Sequence, residues 1–352
     1  MHGGMERNEL LELKGLQKRG HVAKLFVSKL IGADPQIRQI KDLSWRNRLF
    51  KFYYYLNFSM KAIHYDVYHG NFTPLLALLF PNKSLIHFHG DAIFELPLYR
   101  HFGRRYQNSW YVFCSDYTKN EFRKMYPNLN QERLMTLYNC VDIDFFKPAV
   151  SDVSERKTVN ICFYGGWIPE KGIYDVLEAA EILEKRGRKD FKIYYGGSAY
   201  SHYKDSKWGS ADDIDAKVKS WVSRLHTVEL VGNIKYESLP EFLQKMDIGL
   251  VPSSYPEPFG IVNIEIMACR LPVIATKVGG IPEVVVDGET GLLIEPSNPQ
   301  GLARAIECLL DNSDLRMRMG RAARERVEQL FTWEKHMSQL IQIYMKILDN
   351  KK

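Results

Sequence analysis

The stretch Glu257-Pro-Phe-Gly-Ile-Val-Asn-Ile-Glu265 says more about the fold of this chain than any other segment. Two carboxylates lie eight positions apart, and between them a proline and a glycine precede an apolar run that predicts the first turns of a helix. Pro258 suits the first helical position, where a missing N–H costs nothing. Gly260 would let a ligand approach the backbone closely. The unpaired N–H groups of such a first turn, with the positive end of the helix dipole, form an anion site.

The two carboxylates cannot themselves bind an anion, but they are suited to hydroxyl groups on either side of it. A ligand with hydroxyls, then phosphates, then more hydroxyls is a nucleotide sugar. Each acid also has a structural explanation. Glu257 could simply favour a helix N-terminus through the dipole, and Glu265 could be a surface acid. The nine-residue context favours the ligand site.

The stretch resembles the E-x7-E signature of retaining glycosyltransferases of the GT-B fold, specifically glycosyltransferase family 4. Further segments resemble other motifs of that family, and each would be weak evidence alone. Together, in this order and spacing, they are specific for the family. They are the glycine turn Gly3-Gly-Met-Glu-Arg7, the strand end His87-Phe-His-Gly-Asp91, the hinge motif Asn139-Cys-Val-Asp142 with Phe145 and Pro148, the loop Gly165-Gly-Trp-Ile-Pro-Glu-Lys-Gly172, and Gly279-Gly-Ile-Pro-Glu283.

The resemblance implies a GT-B architecture of two facing Rossmann-like α/β domains with a deep cleft between them. Strand-like and helix-like runs alternate in both halves, which is typical of parallel α/β sheets. One strand is predicted over Val159–Tyr164, before the glycine loop. The expected division is an acceptor domain over 1–148, a hinge over 149–157, a donor-binding domain over 158–330, and a C-terminal helix over 331–352 that returns to the N-terminal domain.

The start of the chain departs from this pattern. A sheet of this kind should begin with a strand before the glycine turn, whereas the sequence opens on Met1-His2-Gly3-Gly4. The first N-domain strand is therefore expected to be absent, unless another segment takes its place.

Site residues follow from the resemblance. The expected catalytic residues are His89, Glu257 and Lys171. Glu257 would contact the transferred sugar and Glu265 the ribose hydroxyls. The family usually has an arginine where this chain has Gly166, so one of two cations at the diphosphate is missing. The expected donor-binding residues are Gly3, Gly4, Gly165, Gly166, Lys171, Phe259, Gly260, Ile261, Val262 and Glu265.

Several of these residues have plainer explanations. Lys171 follows a strand and a glycine-rich turn, from which an ammonium can reach a phosphate, but a solvated lysine at a helix start has the same context. A lone histidine such as His89 is often structural, and only the family pattern places it near the sugar. His87 points the same way along a strand. Gly3 and Gly4 could belong to a flexible terminus.

Composition sets outer limits. A length of 352 residues suggests two domains, and no apolar run approaches the roughly 18 residues of a membrane span. Five scattered cysteines without a C-x-x-C pair indicate reduced thiols. The net charge of +6 fits an anionic donor, an acidic membrane surface or a merely solvated basic face. The sequence contains no recognisable nucleic-acid-binding motif.

The sequence therefore predicts a cytoplasmic transferase, at most peripheral at the inner face of a membrane. By resemblance it uses a nucleoside diphosphate sugar, with a UDP-sugar favoured, and a saccharide or lipid-linked acceptor in cell-envelope polysaccharide or glycolipid synthesis. Neither a cofactor nor a metal is expected, although Asp142-Ile-Asp144 matches the D-x-D pattern that binds metal in the other large glycosyltransferase fold. The alternatives are a nucleotide-sugar-binding protein without transferase activity and a GT-B-fold epimerase.

Overall fold

A computed structural model of the protein describes residues 16, 18–20, 25–27, 37–39, 66–71, 75–89, 96, 99–149, 158–199 and 209–350. These residues form two α/β regions, and every strand pairing within them is parallel.

The described part of the N-terminal region contains two parallel sheets, one of two strands and one of four. Its strands are β1 (Leu25–Val27), β2 (Ile37–Gln39), β3 (Tyr68–Asn71), β4 (Ser84–Phe88), β5 (Trp110–Phe113) and β6 (Leu134–Thr136). β1 pairs with β2, and β3 to β6 pair in chain order. β4 and β5 are buried along their whole length, as expected where helices cover both faces of a parallel sheet. The helices of this region are α1 (Leu75–Leu79), α2 (Tyr99–Gln107) and α3 (Asp116–Met125).

The C-terminal region is built on a six-stranded sheet. Its strands are β7 (Val159–Trp167), β8 (Phe191–Ala199), β9 (Val228–Gly232), β10 (Ile248–Val251), β11 (Val273–Thr276) and β12 (Gly291–Ile294). Its helices are α4 (Ile173–Lys185), α5 (Ala211–Val222), α6 (Leu239–Leu243), α7 (Ile261–Ala268), α8 (Ile281–Val284), α9 (Pro299–Asp311) and α10 (Ser313–Leu330). The strand order is β12-β11-β10-β7-β8-β9. The order reverses between β7 and β10, and the crevice beyond the carboxyl ends of such strands is where open α/β sheets bind ligands.

The last helix, α11 (Trp333–Asp349), crosses back to the N-terminal region. Just before this helix, the Phe331 carbonyl accepts a hydrogen bond from the Val141 N–H at 2.9 Å. The helix buries an apolar stripe against β4 and β5, and so ties the two regions together. The buried residues of this contact are Leu85, Trp110, Val112, Leu137, Met337, Leu340, Ile343 and Ile347.

The prediction of two α/β domains with parallel sheets is confirmed, but local details differ. The helix within the E-x7-E stretch begins at Ile261, not at Pro258, because Gly260 takes up a left-handed conformation just before it. β7 continues to Trp167, past the predicted end at Tyr164, so the glycines form a strand end and not a turn. The start of the chain, where a strand was expected to be absent, and most of 149–157 lie outside the described residues.

Candidate active site

A cavity of about 340 Å³ lies at the carboxyl ends of β7 and β10, where the strand order reverses. The N-terminal region supplies His89 and Asn139 to its wall. The C-terminal region supplies the other lining residues, which are Phe163, Tyr164, Gly165, Gly166, Lys171, Leu250, Val251, Ser253, Tyr255, Glu257, Pro258, Phe259, Gly260, Ile261 and Val262. The cavity is therefore shared by both regions.

Glu257 is the one acid among the described residues that line the cavity. It is 8% exposed, and a buried carboxylate requires partners for its charge. Ser253 Oγ donates to Glu257 Oε1 at 2.9 Å, and the Tyr255 hydroxyl donates to Oε2 at 2.8 Å. Lys171 Nζ lies 3.4 Å from Oε1. These three partners fix both oxygens of the carboxylate at the cavity wall.

Lys171 reaches this carboxylate because of the turn that follows β7. Pro169–Lys171 form a single helical turn that ends at Gly172, whose φ is 77°. A Cβ at Gly172 would lie 2.2 Å from the Pro252 carbonyl oxygen, so only glycine allows this close approach. Lys171 Nζ also lies 6.0 Å from the centroid of the Tyr255 ring. The ammonium is held at the cavity with a third of its side chain exposed.

The first turn of α7 forms another part of the wall. Gly260 is its N-cap with a φ of 84°, and a Cβ there would lie 2.4 Å from Asn263 Nδ2. Gly260, Ile261 and Val262 line the cavity. The first N–H groups of a helix have no carbonyl partner within it, and the helix dipole favours negative charge at this end. The predicted anion site thus faces the cavity, one turn later than Pro258.

The Gly279-Gly280 motif supports this wall from behind. The Gly280 N–H donates to the Glu257 carbonyl at 2.7 Å. Gly279 has a φ of 56°, and a Cβ there would lie 2.1 Å from the same carbonyl oxygen. The two glycines therefore position the backbone of the Glu257 loop and do not themselves line the cavity.

Glu265 lies in the second turn of α7 and is coupled to β7. The Tyr164 hydroxyl donates to Glu265 Oε2 at 3.0 Å. Burial, together with the negative charge of Glu265, raises the pKa of Tyr164 well above its usual range, so this hydroxyl stays a donor. Tyr164 lines the cavity whereas Glu265 does not. The acid predicted to bind ribose hydroxyls is thus hydrogen-bonded to a lining residue.

His89 stands at the end of β4, on the N-terminal wall. Its Nδ1 lies 3.4 Å from Asn139 Oδ1, and its ring centroid lies 3.6 Å from that of His87. His87 is fully buried, and its Nδ1 lies 3.2 Å from His69 Nε2. Burial, and then the charges of His89 and His69, lower the pKa of His87 well below its usual range. His87 is therefore a neutral support beneath His89 and not a second cavity residue.

The remaining predicted residues divide into two groups. Gly165 and Gly166 line the cavity, and Gly165 has a φ of 144°. Phe259 also lines it, although its ring is buried 5.8 Å from the Tyr138 ring. Gly3 and Gly4 lie outside the described residues.

The D-x-D alternative gains no support from the geometry. Asp142 Oδ1 accepts hydrogen bonds from the Asp144 and Phe145 N–H groups, both at 3.0 Å, so it closes a turn. Within the described ranges, no group of three or more His, Cys, Asp or Glu residues is placed to hold a metal ion. No helix in that same part of the chain is long and apolar enough to cross a membrane.

Sequence reasoning missed Ser253, Tyr255, Tyr164 and Asn139. A signal existed for the first two, because Ser253, Tyr255 and Glu257 alternate at positions i, i+2 and i+4. In an extended segment such residues share one side. Asn139 stood out only as part of the hinge motif, and nothing near it or near Tyr164 in the sequence indicates the distant residues, His89 and Glu265, that they contact.

Two families match the chain. Residues 150–326 match the family described as Glycosyl transferases group 1, and residues 2–145 match Glycosyltransferase Family 4. Among curated proteins, the chain is 30% identical to an uncharacterized glycosyltransferase of Methanocaldococcus jannaschii over 69% of its own length and 61% of that protein. It is 29% identical to the alpha-maltose-1-phosphate synthase of Mycolicibacterium smegmatis over 67% of its length and 62% of that protein.

Solved structures of other proteins have a similar fold. A glycosyltransferase from Rickettsia africae aligns with a TM-score of 0.82 at 22% identity, over 99% of this chain and 96% of that one. HepE from Anabaena, in complex with UDP and glucose, aligns with a TM-score of 0.74 at 19% identity, over 98% and 96%. At these identities the likeness shows the fold alone.

Proposed function

The chain belongs to the group 1 glycosyl transferases and has the GT-B fold, and we propose that it moves a sugar from a nucleoside diphosphate sugar to a hydroxyl acceptor with retention of configuration. One observation carries the proposal. A single cavity brings together Lys171, Glu257 and the first turn of α7 from the C-terminal region, and His89 from the N-terminal region.

The donor would lie along the C-terminal wall. Its diphosphate meets the first turn of α7 and Lys171, where a helix terminus and an ammonium favour negative charge. Its transferred sugar lies between Glu257 and His89, and its ribose points toward Glu265. When the diphosphate enters, Lys171 exchanges part of its contact with Glu257 for a phosphate oxygen. The Glu257 carboxylate keeps Ser253 and Tyr255 and turns the remaining lone pairs to sugar hydroxyls.

The chemistry would be electrostatic. The bond between the anomeric carbon and the diphosphate oxygen breaks, and its electron pair stays on the leaving diphosphate. A bond forms on the same face between that carbon and the acceptor oxygen, whose proton passes to the leaving phosphate. Donors already aimed at the developing charge lower the barrier. No flanking pair of carboxylates, as glycosidases use, is needed.

Gly166 gives this site a reduced positive charge. Among the described lining residues, Lys171 is the one lysine or arginine. Lys171 and the α7 terminus would therefore together supply most of the stabilisation of the leaving group, without a divalent metal.

We also propose a chemical class for the donor and for the acceptor. A UDP-sugar is favoured, which is supported by a related fold solved with UDP and glucose. A saccharide or lipid-linked saccharide of the cell envelope is the proposed acceptor class, on the resemblance to family 4. It would approach from the N-terminal wall, which leaves the donor wall free for the nucleotide.

A donor screen tests this function. Thermal unfolding is followed with UDP, GDP and ADP and with their glucose and N-acetylglucosamine conjugates, because a ligand that binds only the folded state raises its stability. The donor found is then incubated alone and with envelope glycans, and product stereochemistry is read by NMR. Transfer with retention supports the proposal. Binding with no transfer to any acceptor favours a binding protein, and conversion of the donor alone favours an epimerase.

A further inference from the structure

The start of α3, in the N-terminal region, is held by an acid from the C-terminal region. Glu283 lies in α8. Its Oε2 accepts from the Asp116 N–H at 2.7 Å, and its Oε1 accepts from the Tyr117 N–H at 2.6 Å. Hydrogen bonds from backbone N–H groups to a carboxylate are stronger than neutral ones, and the helix dipole favours a negative charge at this end. The contact joins the two regions, since Tyr117 and Glu283 lie 166 positions apart in the chain.

The first turn of α3 is therefore completed from two sides. Ser115 is its N-cap, and Ser115 Oγ accepts from the Thr118 N–H at 3.1 Å. The two preceding N–H groups are the ones that Glu283 takes. A helix leaves its first N–H groups without partners of its own. If the two regions moved apart, both N–H groups and the carboxylate would have to find water.

The same helix start also touches the loop that carries Glu257. The Ser115 hydroxyl donates to the Pro258 carbonyl. From the other side, the Gly280 N–H donates to the Glu257 carbonyl at 2.7 Å. A Cβ at Gly280 would lie 2.4 Å from the Pro258 oxygen and 3.1 Å from Ser115 Cβ. The loop is thus clamped between α3 and the Gly279-Gly280 turn, with no spare space.

The backbone of Glu283 is hydrogen-bonded to Arg326. Arg326, in α10, donates from Nε to the Val284 carbonyl and from Nη2 to the Glu283 carbonyl, both at 2.8 Å. These bonds hold the backbone of α8 at its end. The Glu283 carboxylate therefore binds the start of α3 while its own backbone is hydrogen-bonded to α10.

We propose that Glu283 and Ser115 form an interdomain latch that holds the two regions closed and keeps the Glu257 loop in register with His89. Glu283 is not among the lining residues of the cavity, so we assign it a positioning role. Its effect on catalysis rests on the proposed transferase function, whereas its effect on closure does not. Loss of the latch should shift the protein toward an open arrangement, in which the C-terminal wall still binds nucleotide but lacks the N-terminal wall.

The test compares the wild type with Glu283→Ala, Glu283→Gln and Glu289→Ala. The glutamine keeps one acceptor oxygen without the charge, and Glu289 is an exposed glutamate of the same region. Small-angle X-ray scattering measures the radius of gyration with and without UDP, and calorimetry measures the UDP affinity. Kinetics give kcat and the donor KM. Circular dichroism first establishes that each variant is folded, and the glutamine variant replaces the alanine variant if the latter is not.

The latch predicts a larger radius of gyration for Glu283→Ala and a smaller increase for Glu283→Gln. It predicts a loss in kcat of about tenfold or more, the size expected when hydrogen bonds to a charged group are removed, while UDP affinity and the Glu289→Ala variant stay near wild type. Unchanged scattering in folded Glu283→Ala and Glu283→Gln overturns the latch, whatever the kinetics show. Expansion in a protein whose wild type transfers no sugar supports the latch and refutes the proposed function instead.

Discussion

The two walls of the cavity are built in different ways. On the C-terminal wall, Glu257 has three partners within 3.4 Å, and all of them come from the same region of the chain. On the N-terminal wall, His89 Nδ1 lies 3.4 Å from Asn139 Oδ1, and the His89 ring packs at a tilt against the buried His87 ring. The side-chain partners of Glu257 on the first wall all come from its own region, and the N-terminal region adds only the Ser115 hydrogen bond to the neighbouring Pro258 carbonyl. The second depends on burial beneath it and on closure against the first.

The N-terminal and C-terminal parts of the chain also differ in net charge. Residues 1–148 contain 21 Lys and Arg against 13 Asp and Glu, whereas residues 149–352 contain 27 against 29. The net charge of +6 therefore belongs to the N-terminal part of the chain. A wall that is organised by local contacts suits a constant ligand such as a nucleotide. The acceptor is assigned to the wall that carries His89, and we expect substitutions on the two walls to separate these roles.

The largest effect is expected at Glu257. Glu257→Ala removes the group assigned to the transferred sugar, and misplacing a bound reactant costs about 100-fold in kcat. UDP affinity should not weaken, because Lys171 loses a competitor for the diphosphate. Single-turnover kinetics and calorimetry measure the two quantities, with Glu289→Ala as the exposed control. If kcat and UDP affinity fell in parallel, Glu257 would be a nucleotide ligand and its assignment to the sugar would be wrong.

A moderate effect is expected at Glu265, on the same wall. Glu265→Ala should weaken UDP binding by about 1–3 kcal/mol, the range for lost hydrogen bonds to a charged group. Tyr164→Phe keeps the carboxylate and removes only the hydroxyl that it accepts from, so its loss should be smaller. Calorimetry gives both values. Equal UDP affinity in wild type and Glu265→Ala would contradict the assignment to ribose.

The C-terminal wall could be predicted from sequence more fully than the N-terminal wall. The E-x7-E stretch places Glu257, the α7 terminus and Glu265 within nine residues, so local helix rules suffice. Even there, the helix start was wrong by one turn, because Pro258 was preferred over the left-handed Gly260. The Ser115 and Glu283 contacts could not be predicted, since they join residues from different regions through backbone atoms that every residue carries.

A smaller effect, on stability and not on turnover, is expected beneath the N-terminal wall. Burial lowers the pKa of His87 in the folded protein, so the unfolded chain binds the proton more readily. The stabilising contribution is complete above the unfolded pKa of about 6.5 and is lost as the pH falls below it. The free energy of unfolding should fall by at most about 1.4 kcal/mol per pH unit for this one proton.

Urea titrations between pH 5 and 8 measure this slope. His87→Gln should flatten it, because the amide does not titrate, whereas replacing the exposed His226 with Asn should leave it unchanged. An equal slope in His87→Gln and wild type would show that His87 is protonated in the folded protein or that another group governs the acid limb. His89, His69 and His336 all act on the His87 ring, so each is tested next in that case.

The smallest effect is expected from removing divalent metal. The proposed site meets the diphosphate with Lys171 and the α7 terminus, and Asp142 Oδ1 already accepts two backbone N–H groups. Turnover measured after dialysis against EDTA should therefore equal the untreated rate, and added Mn²⁺ should not raise it. Asp144→Asn serves as the matched variant, because it removes one carboxylate of the D-x-D pattern and leaves the Asp142 turn intact. Turnover that is abolished by EDTA, restored by Mn²⁺ and lost again in Asp144→Asn would place the metal at Asp142 and Asp144. The charge on the leaving diphosphate would then be neutralised at the hinge motif of the N-terminal region, and the division of labour between the two walls would have to be reversed.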